Sequence, residues 1–334
     1  MTHLTRRVGL VLPHFGSDPD LKRMLELAVR AEEAGFDSLW VRDRLVAGAP
    51  HGLLLEAGGT TFFEPMLTLA AVAAVTRRIT LATAVLLPNR HPLQLSQQVA
   101  TLCRFAPGRV ILGLGLGVGP ANFESLGLRF EDRRDLFIET VAAVRASSDE
   151  RPWSFASEHF HFEDISLDPA PPANLPIYYG GVSRAAVRRA FEYADGWIAG
   201  RLPSDTFRAR MELVDELRVE TGKEIDILSM PITLVDLGAG DYADRGLQVV
   251  DLLATSAEGA RDWIKPASGR FETAEDLSGL LISGEPDVAV REAIRIFDSG
   301  VTHLVFDLRL AFGDAADQAD FLAREVLPAI RGVS

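Results

Sequence analysis

Short apolar runs alternate along this chain with longer stretches in which apolar residues recur every three or four positions. The first rhythm marks buried strands and the second marks amphipathic helices. Val8 to Leu12 reads as a strand. Asp18 as N-cap and Pro19 in the first turn then open a helix through Leu21, Met24, Leu25 and Ala28 that stops at Gly35. Ser38 to Arg42 is a second strand. After a long Gly-rich connection to Phe63, Pro65 opens an Ala- and Leu-rich helix to Val75. Ile79 to Leu86 is the third strand, followed by a helix from about Pro92 to Arg104, a Pro107-Gly108 turn and a fourth strand, Arg109 to Leu114. A helix over Glu131 to Arg145 follows, and an aromatic- and Pro-rich stretch, Arg151 to Leu175, breaks the rhythm. Pro176 to Tyr179 is the fifth strand, Ser183 to Ala194 its helix, and Trp197 to Ala199 the sixth strand. The seventh lies within Ile225 to Leu234. Residues 236–285 have no regular pattern and read as an excursion with its own helices. Thr302 to Leu308 is the eighth strand, with a last helix from about Ala315 to Ile330.

Strands that are apolar throughout belong to a parallel sheet covered by helices. Eight strand–helix units predict a closed (β/α)₈ TIM barrel with insertions; a doubly wound open sheet is the alternative that the pattern leaves standing. The 334 residues could make two domains. A barrel of about 250 residues with insertions at about 44–63, 150–175 and 236–285 accounts for 1–334 as one domain.

Composition narrows the function classes. A net charge of -13 opposes binding to nucleic-acid phosphates and to anionic membranes, so neither is an expected partner. The single cysteine, Cys103, rules out an internal disulfide, and its apolar helical setting makes it an inert thiol rather than a nucleophile. The apolar run before Pro13 is too short for the core of a signal peptide, and no stretch approaches a membrane span. A cytoplasmic location is the expectation.

Gly113 to Pro120, GLGLGVGP, follows the fourth strand and invites comparison with a dinucleotide-binding turn. The spacing fails: counted from Gly113 the third glycine position holds Val118, and from Gly115 it holds Pro120. In a barrel, these glycines lie instead at the C-terminal end of a strand, where active sites are built, and glycine lets a flat ligand approach the backbone closely. Some of them equally relieve crowding where the strand leaves the barrel.

The same rule directs attention to every strand end: Pro13 and His14; Asp43 and Arg44; Thr83, Ala84 and the loop Asn89-Arg90-His91; Gly180-Gly181; Gly200-Arg201; Asp307 and Arg309. Gly180, Gly181, Val182 and Ser183 run into a helix start. The free N–H groups there, the helix dipole and the serine hydroxyl favour a phosphate, although a plain serine N-cap looks the same in sequence. Asp43-Arg44 reads as a polar pair at the mouth, orienting a ligand or forming an ion pair at the rim. His159 and His161 alternate along a predicted extended segment, but no third ligand stands at metal-binding spacing, so no metal is expected. No nucleophile elbow or P-loop appears, which points to chemistry borrowed from a cofactor.

Several stretches in this order resemble the bacterial luciferase-like superfamily of flavin- and deazaflavin-dependent oxidoreductases. They are Ala31-Glu-Glu-Ala-Gly-Phe-Asp-Ser-Leu-Trp-Val-Arg-Asp43, Phe63-Glu-Pro-Met-Leu-Thr-Leu-Ala-Ala71, Arg78-Ile-Thr-Leu-Ala-Thr-Ala-Val85, Arg90-His-Pro92, Pro107-Gly-Arg-Val-Ile-Leu-Gly-Leu-Gly115, Tyr179-Gly-Gly-Val-Ser183, Ala194-Asp-Gly-Trp197 and Gly300-Val-Thr-His-Leu304. The resemblance implies coenzyme F420, or alternatively FMN, at the C-terminal mouth, and a small organic substrate. The phosphate would lie at Gly180, Gly181, Val182 and Ser183. A non-proline cis peptide is implied near Thr83, Ala84 and Val85, behind the ring, with Gly115, Gly117 and Val118 lining the ring pocket. Homodimers are usual in the family, and an FMN enzyme would need an external flavin reductase. Many members carry Asp-His at the end of strand two, where this chain has Asp43-Arg44, and an aromatic or acidic residue where it has Val118. Arg44 is permanently charged and cannot serve as a base; with Asp43 and His14 it forms the candidate catalytic set, with Arg44 stabilising an anionic ring or acidic substrate. F420-dependent hydride transfer is the first expectation, FMN-dependent monooxygenation the second, and a non-catalytic flavin-binding barrel the third.

Overall fold

A computed structural model describes residues 6–46, 59, 61–117, 119–148, 152–238, 269–272 and 275–332. Eight strands close into a ring: β1 (Arg7–Val11), β2 (Ser38–Val41), β3 (Thr80–Thr83), β4 (Val110–Gly115), β5 (Ile177–Gly180), β6 (Gly196–Gly200), β7 (Asp226–Ser229) and β8 (His303–Phe306). Each pairs in parallel with its neighbours in sequence, and β8 returns to β1 through Arg7 opposite His303. The closed sheet removes the open-sheet alternative.

Both faces of the sheet are apolar, which explains the unbroken runs. Val11, Trp40, Ala82, Ile111, Tyr178, Ile198, Leu228 and Val305 fill the barrel interior. Their neighbours Leu10, Leu39, Leu81, Leu112, Ile177 and Leu304 face the surrounding helices. The helix shell comprises α1 (Leu21–Glu33), α2 (Pro65–Val75), α3 (Pro92–Phe105), α4 (Arg133–Ala146), α5 (Arg184–Tyr193), α6 (Ser204–Thr221), α7 (Pro286–Asp298) and α8 (Ala315–Phe321). At the bottom, Arg7 Nη2 lies 2.7 Å from Asp226 Oδ2, which also accepts from the Tyr178 hydroxyl.

Local chemistry shifts several expected boundaries. Asp20, not Asp18, caps α1: its carboxylate accepts from the Arg23 N–H at 2.7 Å, so the helix begins after it. The segment read as one strand within Ile225 to Leu234 is broken at Met230-Pro231. Proline has no N–H for the ladder, and Ile232–Val235 leaves the barrel to pair in parallel with Leu281–Gly284. The last helix is not continuous either. Leu322–Val326 is a wider π-type turn between α8 and the terminal helix Leu327–Gly332. Pro328 cannot donate to the Arg324 carbonyl, and a widened turn accommodates its ring. Two long helices, α6 and α7, lie outside the elements that the pattern predicts. Within the aromatic insert, Trp153–Ala156 and His161–Ile165 form an antiparallel hairpin. His159 sits in its turn, bound to Glu139 Oε1 at 2.9 Å, while His161 pairs with Glu163; the two histidines do not face one ligand. Among the described residues, no helix is long and apolar enough to cross a membrane.

Candidate active site

The strand order divides the C-terminal mouth into two chemically different halves. On β3, β4 and β5 it is lined by Val85, Gly115 and Gly180; on β6, β8, β1 and β2 it carries Arg201, Asp307, Arg309, Phe15, Arg42 and Arg44.

The glycine half is built around Val85. The Ala84–Val85 peptide bond is cis, and Ala84 N donates to Val41 O at 2.7 Å. Val85 packs so closely on both neighbouring strands that a Cβ on Gly115 would stand 2.6 Å from its Cγ2, and a Cβ on Gly180 would strike its Cγ1. These glycines therefore admit the Val85 side chain, and an apolar floor results. The Thr83 hydroxyl is committed to the frame: it donates to Gly113 O at 2.8 Å and accepts from Gly113 N at 2.9 Å. Gly117 has φ +73°, the left-handed region that favours glycine, and turns the chain away from β4. Val118 lies outside the described residues.

At the edge of this floor the chain turns into α5. Ser183 is its N-cap, with Oγ accepting from Ala186 N at 3.1 Å. The turn is fixed from behind by Trp197, whose Nε1 donates to Gly181 O at 2.6 Å, and by Arg210, whose Nε donates to Val182 O at 3.1 Å. Arg210 is buried, and burial first, then the nearby Arg184 guanidinium, push its pKa down. Arg210 and Arg184 thus place positive charge near the start of α5. A helix start leaves its first-turn N–H groups without internal partners, and with this positive charge beside them the α5 start suits an anion.

In the other half, Asp307 is the hub. It is fully buried and accepts from Arg309 Nε at 2.9 Å on both oxygens, with Arg201 Nη1 3.5 Å away. Burial alone would raise its pKa; Arg309, Arg201 and Arg42 outweigh it and hold the carboxyl below its usual range. Phe15 and Phe62 stack with centroids 4.8 Å apart. Arg42 sits 5.0 Å and Arg309 5.4 Å from the Phe15 ring, and Arg44 lies 5.5 Å from Phe62.

The candidate catalytic residues are placed as follows. His14 is fully buried, with Nδ1 2.8 Å from Leu12 O and Nε2 accepting from Arg42 N at 2.9 Å. Burial pushes its pKa down to about 4, so it is neutral at pH 7 and fastens β1 to β2. Asp43 pairs with Arg90, not with its neighbour Arg44: the second contact, Arg90 Nη2 to Asp43 Oδ1, is 3.0 Å, and Leu87 N donates to Oδ2 at 3.0 Å. Asp43 is thus committed to Arg90 rather than to the neighbour that the sequence suggests. Arg44 remains on the mouth, beside Phe62. Asn122 was not foreseen; its Oδ1 accepts from Leu45 N and Val46 N at 3.1 Å and ties the segment after Arg44 to the β4 loop. Arg210 gave no sequence signal because it lies in mid-helix, whereas Arg201, Asp307 and Arg309 were marked by their position at strand ends. Burial raises the Cys103 thiol to about 11, which suits an inert side chain.

Comparison with known proteins identifies the family and agrees with the barrel fold. The family model for luciferase-like monooxygenase matches residues 5–303. An F420-dependent glucose-6-phosphate dehydrogenase of Nakamurella multipartita is 29% identical over 330 residues, spanning 93% of each chain. An F420-dependent hydroxymycolic acid dehydrogenase of Mycobacterium tuberculosis is 32% identical over 200 residues, covering 58% of this chain and 53% of that one. Among solved structures, an F420-dependent secondary alcohol dehydrogenase, determined with an F420-acetone adduct, superposes with a TM-score of 0.80 at 19% identity, covering 98% of this chain and 99% of the other. The chain belongs to the luciferase-like monooxygenase family.

Proposed function

We propose that this protein is an F420-dependent oxidoreductase that moves a hydride to or from a small organic substrate at the barrel mouth. The observation that carries the reading is the apolar floor of Val85, Gly115 and Gly180 running into the start of α5, where Ser183 is the cap, Arg184 the first helical residue and Arg210 reaches the Val182 carbonyl. That arrangement fits a planar ring joined to a phosphate. The relatives named as F420-dependent dehydrogenases support F420 over FMN.

F420, when bound, supplies a two-electron hydride carrier. Val85, Gly115 and Gly117 would line its ring, and Gly181, Val182 and Ser183 would hold its phosphate. Neutral His14 and the Asp43–Arg90 pair hold the β1 and β2 ends in register around the mouth. Arg44 and Arg42 place positive charge beside the substrate volume, where they stabilise the oxyanion present on the substrate carbon being oxidised or reduced. On this reading, Arg44→Ala cuts hydride transfer sharply; unchanged single-turnover rates with bound F420 would refute its role.

The assembly we propose is a cytoplasmic homodimer built as one domain. Helix α2, Pro-Met-Leu-Thr-Leu-Ala-Ala-Val-Ala-Ala-Val, is apolar on every face, and its Leu67 is 73% exposed. A helix apolar all round is normally covered, and a second copy of this chain covers it. Light scattering on Leu67→Lys tests this: a shift from dimer to monomer is expected, and an unchanged mass contradicts it.

A further inference from the structure

We infer that the cleft between α6 and α7, on the outer side of the barrel wall, is a second small-molecule site, which takes a neutral, mostly apolar molecule carrying one hydroxyl or carbonyl group. It is separate from the mouth and does not rest on the cofactor reading.

A buried hydroxyl supplies the first argument. Along β7 the side chains alternate: Leu228 packs inside the barrel, as does Met230 just beyond the strand, while Ile227 packs against the helices. Ser229 therefore points outward into the helix layer. It is 6% exposed, and among the described residues its hydroxyl makes no hydrogen bond. A buried hydroxyl without a partner is costly, and a ligand group that bonds to it removes that cost.

Shape supplies the second. The hydroxyl stands on the inner wall of a cleft of about 390 Å³, inside the range of about 300–1,000 Å³ that ligand sites occupy. Leu202, Phe207, Met211, Ile296 and Val301 give it apolar sides. Phe207 is held in place by Trp197, whose ring stacks on it with centroids 6.0 Å apart. Two glycines let the ends close. A Cβ on Gly279, at φ +86°, would stand 2.5 Å from Leu202 O, and a Cβ on Gly300 would stand 2.8 Å from Met211 Cε.

Charge supplies the third and sets the ligand class. The ionic groups at the rim already have partners. Arg295 donates from Nη1 to Ser204 Oγ at 2.9 Å, from Nη2 to Ser278 Oγ at 2.6 Å and from Nε to Glu292 Oε1 at 3.1 Å. Asp298 accepts from Arg6 Nη2 at 2.9 Å, and Arg208 lies 3.0 Å from Asp205. An ion entering the cleft would lose hydration among apolar sides and gain no counter-charge, whereas a neutral molecule loses little. Its apolar body fills the walls, and its one polar group meets Ser229 Oγ.

The test is fluorine NMR titration of para-fluorophenol, fluorobenzene and para-fluorobenzoate into the wild-type chain, Ser229→Ala and Ser229→Leu, with circular dichroism on each variant. The phenol should bind saturably, fluorobenzene about fivefold more weakly, the scale of one hydrogen bond between neutral groups, and the benzoate more weakly still. Ser229→Ala should bring the phenol down to the affinity of fluorobenzene. Ser229→Leu, which fills the inner wall, should abolish binding of both. If the leucine variant does not fold, the alanine variant still decides the hydrogen bond. No saturable binding to wild type, equal affinity for the phenol in wild type and Ser229→Ala, or a benzoate that binds as tightly as the phenol overturns the proposal. So does competition by F420, which would place the probe at the mouth. Failure of the wild-type chain to bind F420 would contradict the cofactor reading alone.

Discussion

Val85 packs directly on Gly180: a Cβ on Gly180 would clash with Cγ1 of Val85 and stand 3.5 Å from its Cβ and Cγ2. Overpacking of this kind typically costs about 1–3 kcal/mol. Gly180→Ala should therefore lower stability by roughly that amount and weaken F420 binding by tilting the floor. Adding Val85→Ala should restore much of the stability, a coupling that a double-mutant cycle by urea unfolding reads directly.

Arg90 reaches back 47 residues to Asp43, whose side chain is 2% exposed. Arg90→Ala strands a buried carboxylate, with the Leu87 N–H as its remaining partner among the described residues. Removing one partner of a buried pair costs about 3–5 kcal/mol. Chemical denaturation at pH 7 should show a loss near the lower figure. A loss below about 1 kcal/mol, the size of a surface pair, would mean that Asp43 is solvated in the native protein.

The hairpin tether carries a pH signature. The Glu139 hydrogen bond raises the His159 pKa. For Glu139, burial alone would raise the pKa, but hydrogen bonds from Ser157 and His159 outweigh it and lower it. A raised histidine contributes stability that is complete below its unfolded value of about 6.5 and is lost as pH rises through its folded value; a lowered glutamate contributes stability above about 4.5 that is lost on acidification. The Tm difference between wild type and His159→Gln should peak between about pH 4.5 and 6.5 and shrink toward pH 9. A difference that grows with pH would contradict the pairing.

The cationic end of α5 makes a separate prediction. Arg210→Met keeps the buried stem and removes both the positive charge and the Nε hydrogen bond to Val182 O. F420 affinity should fall about tenfold, ~1.4 kcal/mol, and stability should fall by about 1 kcal/mol, the scale of one lost hydrogen bond. Equilibrium binding of F420 and thermal unfolding, measured together, separate the two effects.

The barrel was legible because its strands are buried on both faces: Val8, Leu10, Leu39, Leu81, Leu112 and Leu304 are all essentially inaccessible, so apolar runs mark them without alternation. Ser183 at a helix start after Gly180-Gly181 was legible for a local reason, since caps and turns are written in adjacent residues. What was not legible depends on tertiary proximity. Asp43 looks like the partner of Arg44 in sequence, yet successive residues point to different sides, and a guanidinium from the β3 loop takes the carboxylate. His14 ends a strand as an active-site residue should, but its ring turns sideways into the backbone of β2. In sequence the glycines at the ends of β4 and β5 signal space for a ligand; at Gly115 and Gly180 the first occupant of that space is Val85. Arg210 becomes part of the site only because α6 packs its middle against the start of α5.

The central claim is that the glycine floor and the α5 start receive F420. Trp197 touches the Gly181 carbonyl through Nε1 at 2.6 Å and so reports on that turn. The most direct measurement is titration of the purified protein with F420 and, separately, with FMN, following tryptophan emission. The account predicts saturable quenching by F420, with FMN at least about tenfold weaker, a difference of ~1.4 kcal/mol. No binding of F420, or tighter binding of FMN, would contradict it.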